Sequence, residues 1–125
     1  MDTHQIRQLT HHIRGPVAAA PDARLSPVFD PSCGAVTAQV PLADAGQVRA
    51  AVDAAQAAFP AWAATTPLQR ARVMFRLRAL IERDADELAR TITSEHGKTL
   101  SDARGEVTRG MEVVEFAAGI PHLLK

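Results

Sequence analysis

Helix start and stop signals recur along the chain after residue 60, and they constrain its fold more than any other feature. Residues 66–69, Thr-Pro-Leu-Gln, combine a hydroxyl N-cap, a proline at the first helical position and a glutamine placed to close a capping box. Asp84 begins a second start signal, and Gly97 is typical of a helix C-cap. These signals predict three helices after residue 66, separated by short turns.

Apolar residues recur at helical spacing through residues 43–125, so each predicted helix has one apolar face. Asp44 is placed to cap the first helix, which we expect to stop at Pro60, and a turn bearing Trp62 follows. We expect the fourth helix to begin near Thr99 and to continue until Pro121. The residues on the apolar faces are Val48, Ala51, Val52, Ala55 and Phe59, then Val73, Met74, Leu77, Leu80 and Ile81, then Leu88, Ala89 and Ile92, and finally Leu100, Ala103, Val107, Met111, Val114 and Ala118.

Residues 1–42 contain five of the eight prolines and indicate short strands and turns. Residues 11–17 are strand-like around a turn at Arg14-Gly15, and residues 27–30 and 35–40 flank a Pro-Ser-Cys-Gly loop. In the second of these strands Val36, Ala38 and Val40 share one face, and Thr37 and Gln39 share the other. Two hairpins this short are not stable alone in water, so we expect them to pack on another element. The chain therefore divides into a β-hairpin region, residues 1–42, and a helical part of one incomplete domain, residues 43–125.

Charge and composition exclude several classes of partner. The chain has 14 basic and 14 acidic residues and a net charge of zero, whereas proteins that bind nucleic acid or anionic membranes carry a basic excess. No apolar run approaches the length of a membrane span, and the polar residues 1–5 predict no secretory leader. The single cysteine cannot form an internal disulfide, which fits a cytoplasmic location. We therefore expect no nucleic-acid partner and no membrane partner.

No activated nucleophile or metal site is visible in the sequence. Cys33 lies in a predicted hairpin turn without a base or a helix start beside it, so we interpret it as a passive turn residue. The histidines lack the spacing of a zinc-binding helix. The G-x-G-x-x-G fingerprint of dinucleotide-binding proteins is absent. We therefore assign no catalytic residue, no cofactor-binding residue and no metal ligand.

Gly105 and Gly110 stand five residues apart, which imitates the spacing of a phosphate-binding loop. Met111 and Glu112 replace the lysine and hydroxyl residue that such a loop requires, and the segment lies within a helical pattern. A glycine inside a helix costs about 1 kcal/mol relative to alanine. Either close packing against another backbone or a nearby ligand would explain why two are present.

Arg109 has two interpretations. Glu106 and Glu112 stand three residues before and after it, so local ion pairs on an exposed helix face would satisfy it, and spacing alone favours this ordinary reading. Alternatively, Gly110 and Thr108 are small enough to leave room for a ligand carboxylate. A guanidinium binds a carboxylate through two parallel hydrogen bonds, which suits an acidic substrate.

Motifs along almost the whole chain, from about residue 9 to 125, resemble the aldehyde dehydrogenase superfamily. A narrower resemblance is to its CoA-acylating methylmalonate-semialdehyde dehydrogenase group, and it rests on Gly-Glu-Val-Thr-Arg-Gly at residues 105–110 with Val-Val-Glu-Phe-Ala at 113–117 and Gly-Ile-Pro at 119–121. The broader motifs are Phe-Asp-Pro at 29–31 with Gly34, A-x-x-A-F-x-x-W at 55–62, Arg-Ala-Arg at 70–72, Glu-His-Gly-Lys at 95–98 and Gly-Glu-Val at 105–107.

The resemblance implies an α/β parent protein with a coenzyme-binding domain, a catalytic domain and an oligomerisation extension. Within it, this chain would be the mostly α-helical N-terminal fragment with two short β-hairpins, and residues 43–125 would be the helical part of the coenzyme-binding domain. The implied parent is a homotetramer that uses NAD and coenzyme A to convert a semialdehyde to an acyl-CoA, CO₂ and NADH. The group's arginine at the position of Arg109 binds the substrate carboxylate.

In the group, the catalytic cysteine, the general base and the glycine-rich coenzyme loop correspond to positions beyond residue 125. We therefore expect the 125-residue chain to be inactive alone and to bind neither cofactor tightly. Two alternatives remain open at this point: a fragment of a non-acylating aldehyde dehydrogenase, and a non-catalytic helical interaction module.

Overall fold

The structure is a computed structural model that describes residues 6–124, so the polar opening at residues 1–5, on which the prediction about a leader rests, lies outside it. Within the described range the chain divides into two compact units between Trp62 and Ala63. This division falls near the end of the first helix. The sequence-based boundary between residues 42 and 43 rests on composition, and it stays a prediction.

The first unit contains all five strands of the described chain. They are β1 Arg7–Gln8, β2 His11–His12, β3 Pro16–Val17, β4 Leu25–Phe29 and β5 Val36–Pro41. β2 and β3 form an antiparallel pair around a turn in which Arg14 and Gly15 both have positive φ, at 59° and 152°. β4 and β5 form the second hairpin. Both predicted hairpins are therefore confirmed.

The sequence prediction missed β1, which pairs in parallel with β5 and makes β5 the central strand of a three-stranded sheet. A strand of two residues has too little periodicity to be recognised. The predicted alternation in β5 holds at Thr37, which is exposed, and at Ala38, which is buried. Val36 is exposed instead, beside a register irregularity between Val28 and Phe29 of β4.

The helices are α1 Ala45–Ala64, α2 Pro67–Arg83, α3 Ala85–His96 and α4 Leu100–Gly119, followed by a 3-10 turn at Ile120–His122. The capping box that begins α2 is present, because Thr66 Oγ1 accepts from the Gln69 N–H at 3.3 Å and Gln69 Oε1 accepts from the Thr66 N–H at 3.4 Å. Gly97 ends α3 with a φ of 80°, the left-handed conformation that favours glycine. The predicted starts of α2, α3 and α4 and the predicted stop of α3 are confirmed, although Asp84 makes no side-chain cap. The predicted stop of α4 at Pro121 is late, because α4 ends at Gly119 and Pro121 lies in the 3-10 turn.

The predicted end of α1 at Pro60 is wrong, because the helix continues through Pro60 to Ala64. A proline inside a helix removes one backbone hydrogen bond and usually ends or kinks the helix. Here three of the four residues that follow it are alanines, which have the highest helix propensity. Trp62 consequently lies in the last turn of α1 and not in a loop.

The second unit has a small core at the junction of α3 and α4. Ala89, Ala103 and Val107 are buried, and partly buried apolar side chains pack against them: Ile81, Ala85, Ile92 and Leu100. Alanines at these positions let the helices approach closely, but each buries little apolar area. The ion pairs Arg78–Glu115 at 2.8 Å and Arg104–Asp86 at 3.0 Å link α4 to α2 and α3 on the surface.

Several residues predicted to be buried are exposed. Leu77, Leu80 and Leu88 each expose between 39% and 46% of their area. The apolar stripe of α1 is more open still, because Val48, Val52 and Phe59 are more than half exposed. Helical periodicity identified which residues share a face, but it does not reveal whether another element covers that face. Among the described residues, no helix is long and apolar enough to cross a membrane.

Candidate functional site

The candidate site lies on the outer face of α4, around Arg109. Thr99 caps this helix by accepting the N–H of Asp102 at 3.3 Å, and the buried residues Ala103 and Val107 fix its rotation against the core. The side chain of Arg109 is therefore left on the surface, where it is 65% exposed. The ordinary and the ligand-binding interpretations of Arg109 both require such exposure.

A single carboxylate oxygen joins the charged groups of the site. Glu106 Oε1 accepts from Arg109 NH2 at 2.8 Å and from Lys98 Nζ at 2.9 Å. Hydrogen bonds first from Lys98 and then from Arg109, together with their positive charges, hold the pKa of the Glu106 carboxyl below its ordinary value. Glu106 is therefore a carboxylate at neutral pH, with two cations as partners.

Lys98 reaches Glu106 from the turn between α3 and α4. The left-handed Gly97 precedes it and the N-cap Thr99 follows it, so both neighbours have defined backbone roles. The lysine side chain is only 21% exposed, against 42% for Glu106. The sequence analysis placed Lys98 in a family motif without linking it to Glu106. The signal for that link was a glycine C-cap, a lysine and a threonine N-cap in succession, followed by a glutamate about two turns into the next helix.

The prediction of two ion-pair partners for Arg109 holds for one of them. Glu106 forms the pair, and within the described part of the chain Glu112 forms no ion pair with Arg109. The opposite edge of the guanidinium is thus not held by the partner that the spacing suggested. An arginine has five N–H donors, and the contact with Glu106 leaves most of them available to a ligand.

Gly105 and Gly110 of α4 do not pack closely against a neighbouring backbone among residues 6–124. A Cβ added to Gly105 would lie 3.7 Å from Arg109 NH1, and one added to Gly110 would meet no atom within 4 Å. Both lie inside a continuous helix, which also rules out a phosphate-binding loop at these residues. A backbone outside residues 6–124 and a ligand near Arg109 are the explanations that stay predictions.

The other candidate groups lie outside this cluster. Cys33 is exposed in the turn after β4, where Asp30 Oδ1 accepts from the backbone N–H of Ser32 at 2.7 Å. The hydrogen bonds from Ser32 lower the pKa of Asp30. Among residues 6–124, no group of three or more His, Cys, Asp and Glu side chains is arranged to hold a metal ion. In the part of the chain that the structure describes, Arg78 pairs with two carboxylates, whereas at Lys98, Glu106 and Arg109 two cations share one carboxylate, the charge balance that suits an anionic ligand.

The sequence model described as "Aldehyde dehydrogenase family" matches residues 18–125. The chain belongs to the aldehyde dehydrogenase family. It is 45% identical over 115 residues to a malonate-semialdehyde dehydrogenase of Pseudomonas aeruginosa, which covers 92% of this chain and 23% of that protein. A malonate-semialdehyde dehydrogenase of Shouchella clausii is 43% identical over 98% of this chain and 25% of its own length. The chain thus spans about a quarter of the length of these relatives.

Solved structures show the same similarity in three dimensions. The methylmalonate-semialdehyde dehydrogenase of Oceanimonas doudoroffii superposes with a TM-score of 0.88 at 47% identity, over 96% of this chain and 24% of that one. A protein from Sinorhizobium meliloti described as a methylmalonate-semialdehyde dehydrogenase, solved with NAD, has a TM-score of 0.88 at 43% identity, over 97% and 25%. The predicted aldehyde dehydrogenase-like fold is confirmed. The role of Arg109 stays a prediction.

Proposed function

We propose that this chain is the N-terminal part of an NAD-dependent, CoA-acylating methylmalonate- or malonate-semialdehyde dehydrogenase. The observation that carries the proposal is the 45% identity with a malonate-semialdehyde dehydrogenase across 92% of the chain. The reaction converts the semialdehyde, NAD and CoA to acyl-CoA, CO₂ and NADH. A cytoplasmic location and a homotetrameric assembly belong to the same proposal.

In this function Arg109 binds the substrate carboxylate. Its side chain is exposed, and the helix places the small residues Gly105, Thr108 and Gly110 around it. A guanidinium fork bound to a carboxylate fixes the orientation of the acid as well as supplying charge. The aldehyde at the other end of a three-carbon acid would then be held in one direction relative to the reacting groups.

The described residues bind and orient the substrate, and they do not perform the chemistry. NAD, when bound, accepts the hydride from the oxidised aldehyde carbon. Residues 6–124 contain no dinucleotide fingerprint, and their mid-helix glycines do not form a phosphate loop, so no cofactor contact is assigned to this chain. We accordingly expect no aldehyde-dependent formation of NADH by the purified 125-residue chain.

The decisive experiment assays the complete gene product that contains this chain with malonate semialdehyde and NAD, in the presence and absence of CoA. We expect NADH formation that depends on CoA, and an acyl-CoA product one carbon shorter than the substrate. NADH formation that ignores CoA and yields a free acid would instead support a non-acylating aldehyde dehydrogenase. No oxidation of any aldehyde would favour the non-catalytic interaction module.

A further inference from the structure

The charge balance of the cluster formed by Lys98, Glu106 and Arg109 has a consequence for specificity. If Arg109 and Glu106 were an isolated pair, the carboxylate would cancel the charge that a substrate anion needs. Two cations share this one carboxylate, through Nζ of Lys98 at 2.9 Å and NH2 of Arg109 at 2.8 Å. The cluster as a whole therefore carries one net positive charge, which matches the single negative charge of a semialdehyde acid.

We propose that Lys98 is a specificity-determining residue, which neutralises Glu106 and so leaves the charge of Arg109 available for a substrate carboxylate. This inference rests on the proposed function, because it concerns how the substrate site of that enzyme selects an acidic aldehyde. Lys98 does not touch the substrate in this arrangement. Its effect passes through the shared oxygen of Glu106.

The position of Lys98 supports an electrostatic role. Gly97 and Thr99 fix the backbone on either side of it, and its side chain is the least exposed of the three. A partly buried charge is screened by salt less than a fully exposed one. The two contacts with Glu106 Oε1, at 2.9 Å and 2.8 Å, keep the lysine charge closer to the Arg109 guanidinium than one Debye length, which is about 8 Å. At that separation one unit of charge still changes the binding of an anion severalfold.

The competing explanation is that Lys98 has only a structural role and ties the α3–α4 turn to α4. A double substitution separates the two explanations. Lys98→Met leaves the cluster with no net charge, whereas Lys98→Met combined with Glu106→Gln returns it to one positive charge on Arg109. A structural tie is broken equally in both variants, but the charge balance is broken only in the first.

The experiment measures kcat/KM for malonate semialdehyde and for propanal, a neutral aldehyde of similar size, in the complete enzyme that contains this chain. We expect Lys98→Met to lower kcat/KM for malonate semialdehyde about five- to tenfold, by raising KM. The kcat/KM for propanal is expected to change less than about twofold. The double variant is expected to return to within about twofold of wild type. The inhibition constant of malonate, measured during propanal oxidation, is expected to follow the same order.

Arg104→Met is the matched control. Arg104 lies on the same helix and also pairs with one carboxylate, Asp86 at 3.0 Å, so the substitution removes the same charge and a comparable surface ion pair. It is expected to leave the ratio of the two kcat/KM values unchanged. A similar loss of discrimination in Arg104→Met would show a general effect of net charge, and it would overturn the specific role of Lys98.

Arg109→Ala separates failure of this inference from failure of the proposed function. If Arg109→Ala selectively lowers kcat/KM for malonate semialdehyde but Lys98→Met does not, Arg109 still binds the substrate carboxylate and the inference about Lys98 is wrong. If kcat/KM for malonate semialdehyde in the double variant stays as low as in Lys98→Met, Lys98 has only a structural role in the α3–α4 turn. If Arg109→Ala impairs both aldehydes equally, the carboxylate site itself is misplaced.

Discussion

The two compact units of this chain differ in how they cover their apolar surface. In the second unit, α2, α3 and α4 bury Ala71, Ala89 and Ala103 and surround them with half-buried aliphatic side chains. In the first unit, Ala38 and Pro41 of β5 are buried, while Phe59 of α1 remains 66% exposed. Both units expose large apolar side chains, such as Phe59 in the first and Phe116 in the second, but among the described residues the buried cluster of apolar side chains lies in the second unit. The candidate site belongs to the unit with the core.

A rigid core beneath a charged surface is a suitable base for a binding site, because it fixes the helix that carries the site. α4 contributes both sides of this arrangement. Ala103 and Val107 face the core, and Glu106 and Arg109 face outward. We therefore expect the second unit to carry the substrate-binding function and the greater share of the stability.

The largest expected effect is that of Arg109→Ala on the complete enzyme. If the guanidinium binds the substrate carboxylate, the loss of kcat/KM for malonate semialdehyde should correspond to about 2–4 kcal/mol of transition-state stabilisation. The reason is that a charge-assisted contact is lost and the substrate charge is left unpaired. Arg109→Lys should recover little, because a point charge does not reproduce the fork. Propanal should be affected far less.

The surface-ion-pair interpretation of Arg109 predicts a different outcome. Loss of the exposed pair with Glu106 would change stability by only about 0–1 kcal/mol and would not discriminate between the two aldehydes. Steady-state kinetics with both substrates, in wild type and both variants, therefore decide the matter. Equal losses of kcat/KM for the two aldehydes would show that Arg109 does not bind the substrate carboxylate and forms only a surface ion pair.

A second prediction compares the packing of the two units. Ala103 is fully buried between α3 and α4, so Ala103→Leu should overpack the core and destabilise the chain by about 1–3 kcal/mol. Ala58 is exposed on α1, so Ala58→Leu should change the free energy of unfolding by less than about 0.5 kcal/mol. Urea denaturation followed by circular dichroism measures both. An equal cost for both substitutions would contradict the contrast between a closed core and an open face.

A third prediction compares one glycine from each unit. Gly34 has a φ of 74° in the turn before β5, so Gly34→Ala should cost about 1 kcal/mol through backbone strain. Gly110 lies inside α4, where an added Cβ meets no atom within 4 Å, so Gly110→Ala should stabilise the chain by up to about 1 kcal/mol. Shifts of opposite sign in the thermal midpoint are expected. A loss of stability in Gly110→Ala would show that the helix face around Arg109 is covered.

Local signals in the sequence predicted much of the fold, because caps and tight turns depend on a few neighbouring residues. Thr66, Gly97 and Thr99 all have the predicted roles. What could not be predicted depends on distant or competing effects. Pro60 stays within α1, and the stripe of α1 is exposed because periodicity is silent about what covers a face.

The candidate site shows the same division between local and distant information. The pair of Glu106 and Arg109 follows from their spacing of three residues on one helix. The contribution of Lys98 does not, because it depends on how the turn between α3 and α4 brings its side chain to Glu106, eight residues later in the chain. A pattern search within one helix could not have found a partner that precedes that helix.

The smallest expected effect is a pH dependence centred on Glu106. Its pKa in the folded chain lies below the ordinary value of 4.5, first because Lys98 and then Arg109 hydrogen-bond to the carboxylate. A lowered folded-state pKa stabilises the folded chain above the unfolded pKa, and this stabilisation is lost as the pH falls through the folded pKa. Unfolding measured from pH 7 downward should therefore show a contribution from Glu106 that begins to decline near pH 4.5, is lost once the pH falls below the folded-state pKa, and is absent in Glu106→Gln.

Lys98→Met sharpens this test, since it removes the hydrogen bond that lowers the pKa of Glu106 most and leaves Arg109 in place. The titration of the Glu106 side-chain carboxyl, followed by NMR, should move toward 4.5 in this variant, and a shift in the same direction is expected for Arg109→Met. Arg104→Met should leave the titration unchanged, because Arg104 pairs with Asp86. A Glu106 pKa that responds to Arg109 but not to Lys98 would show that the lysine does not neutralise the carboxylate in solution. In that case the pair of Glu106 and Arg109 would carry no net charge, and the second unit would lack the charge that selects an acidic substrate.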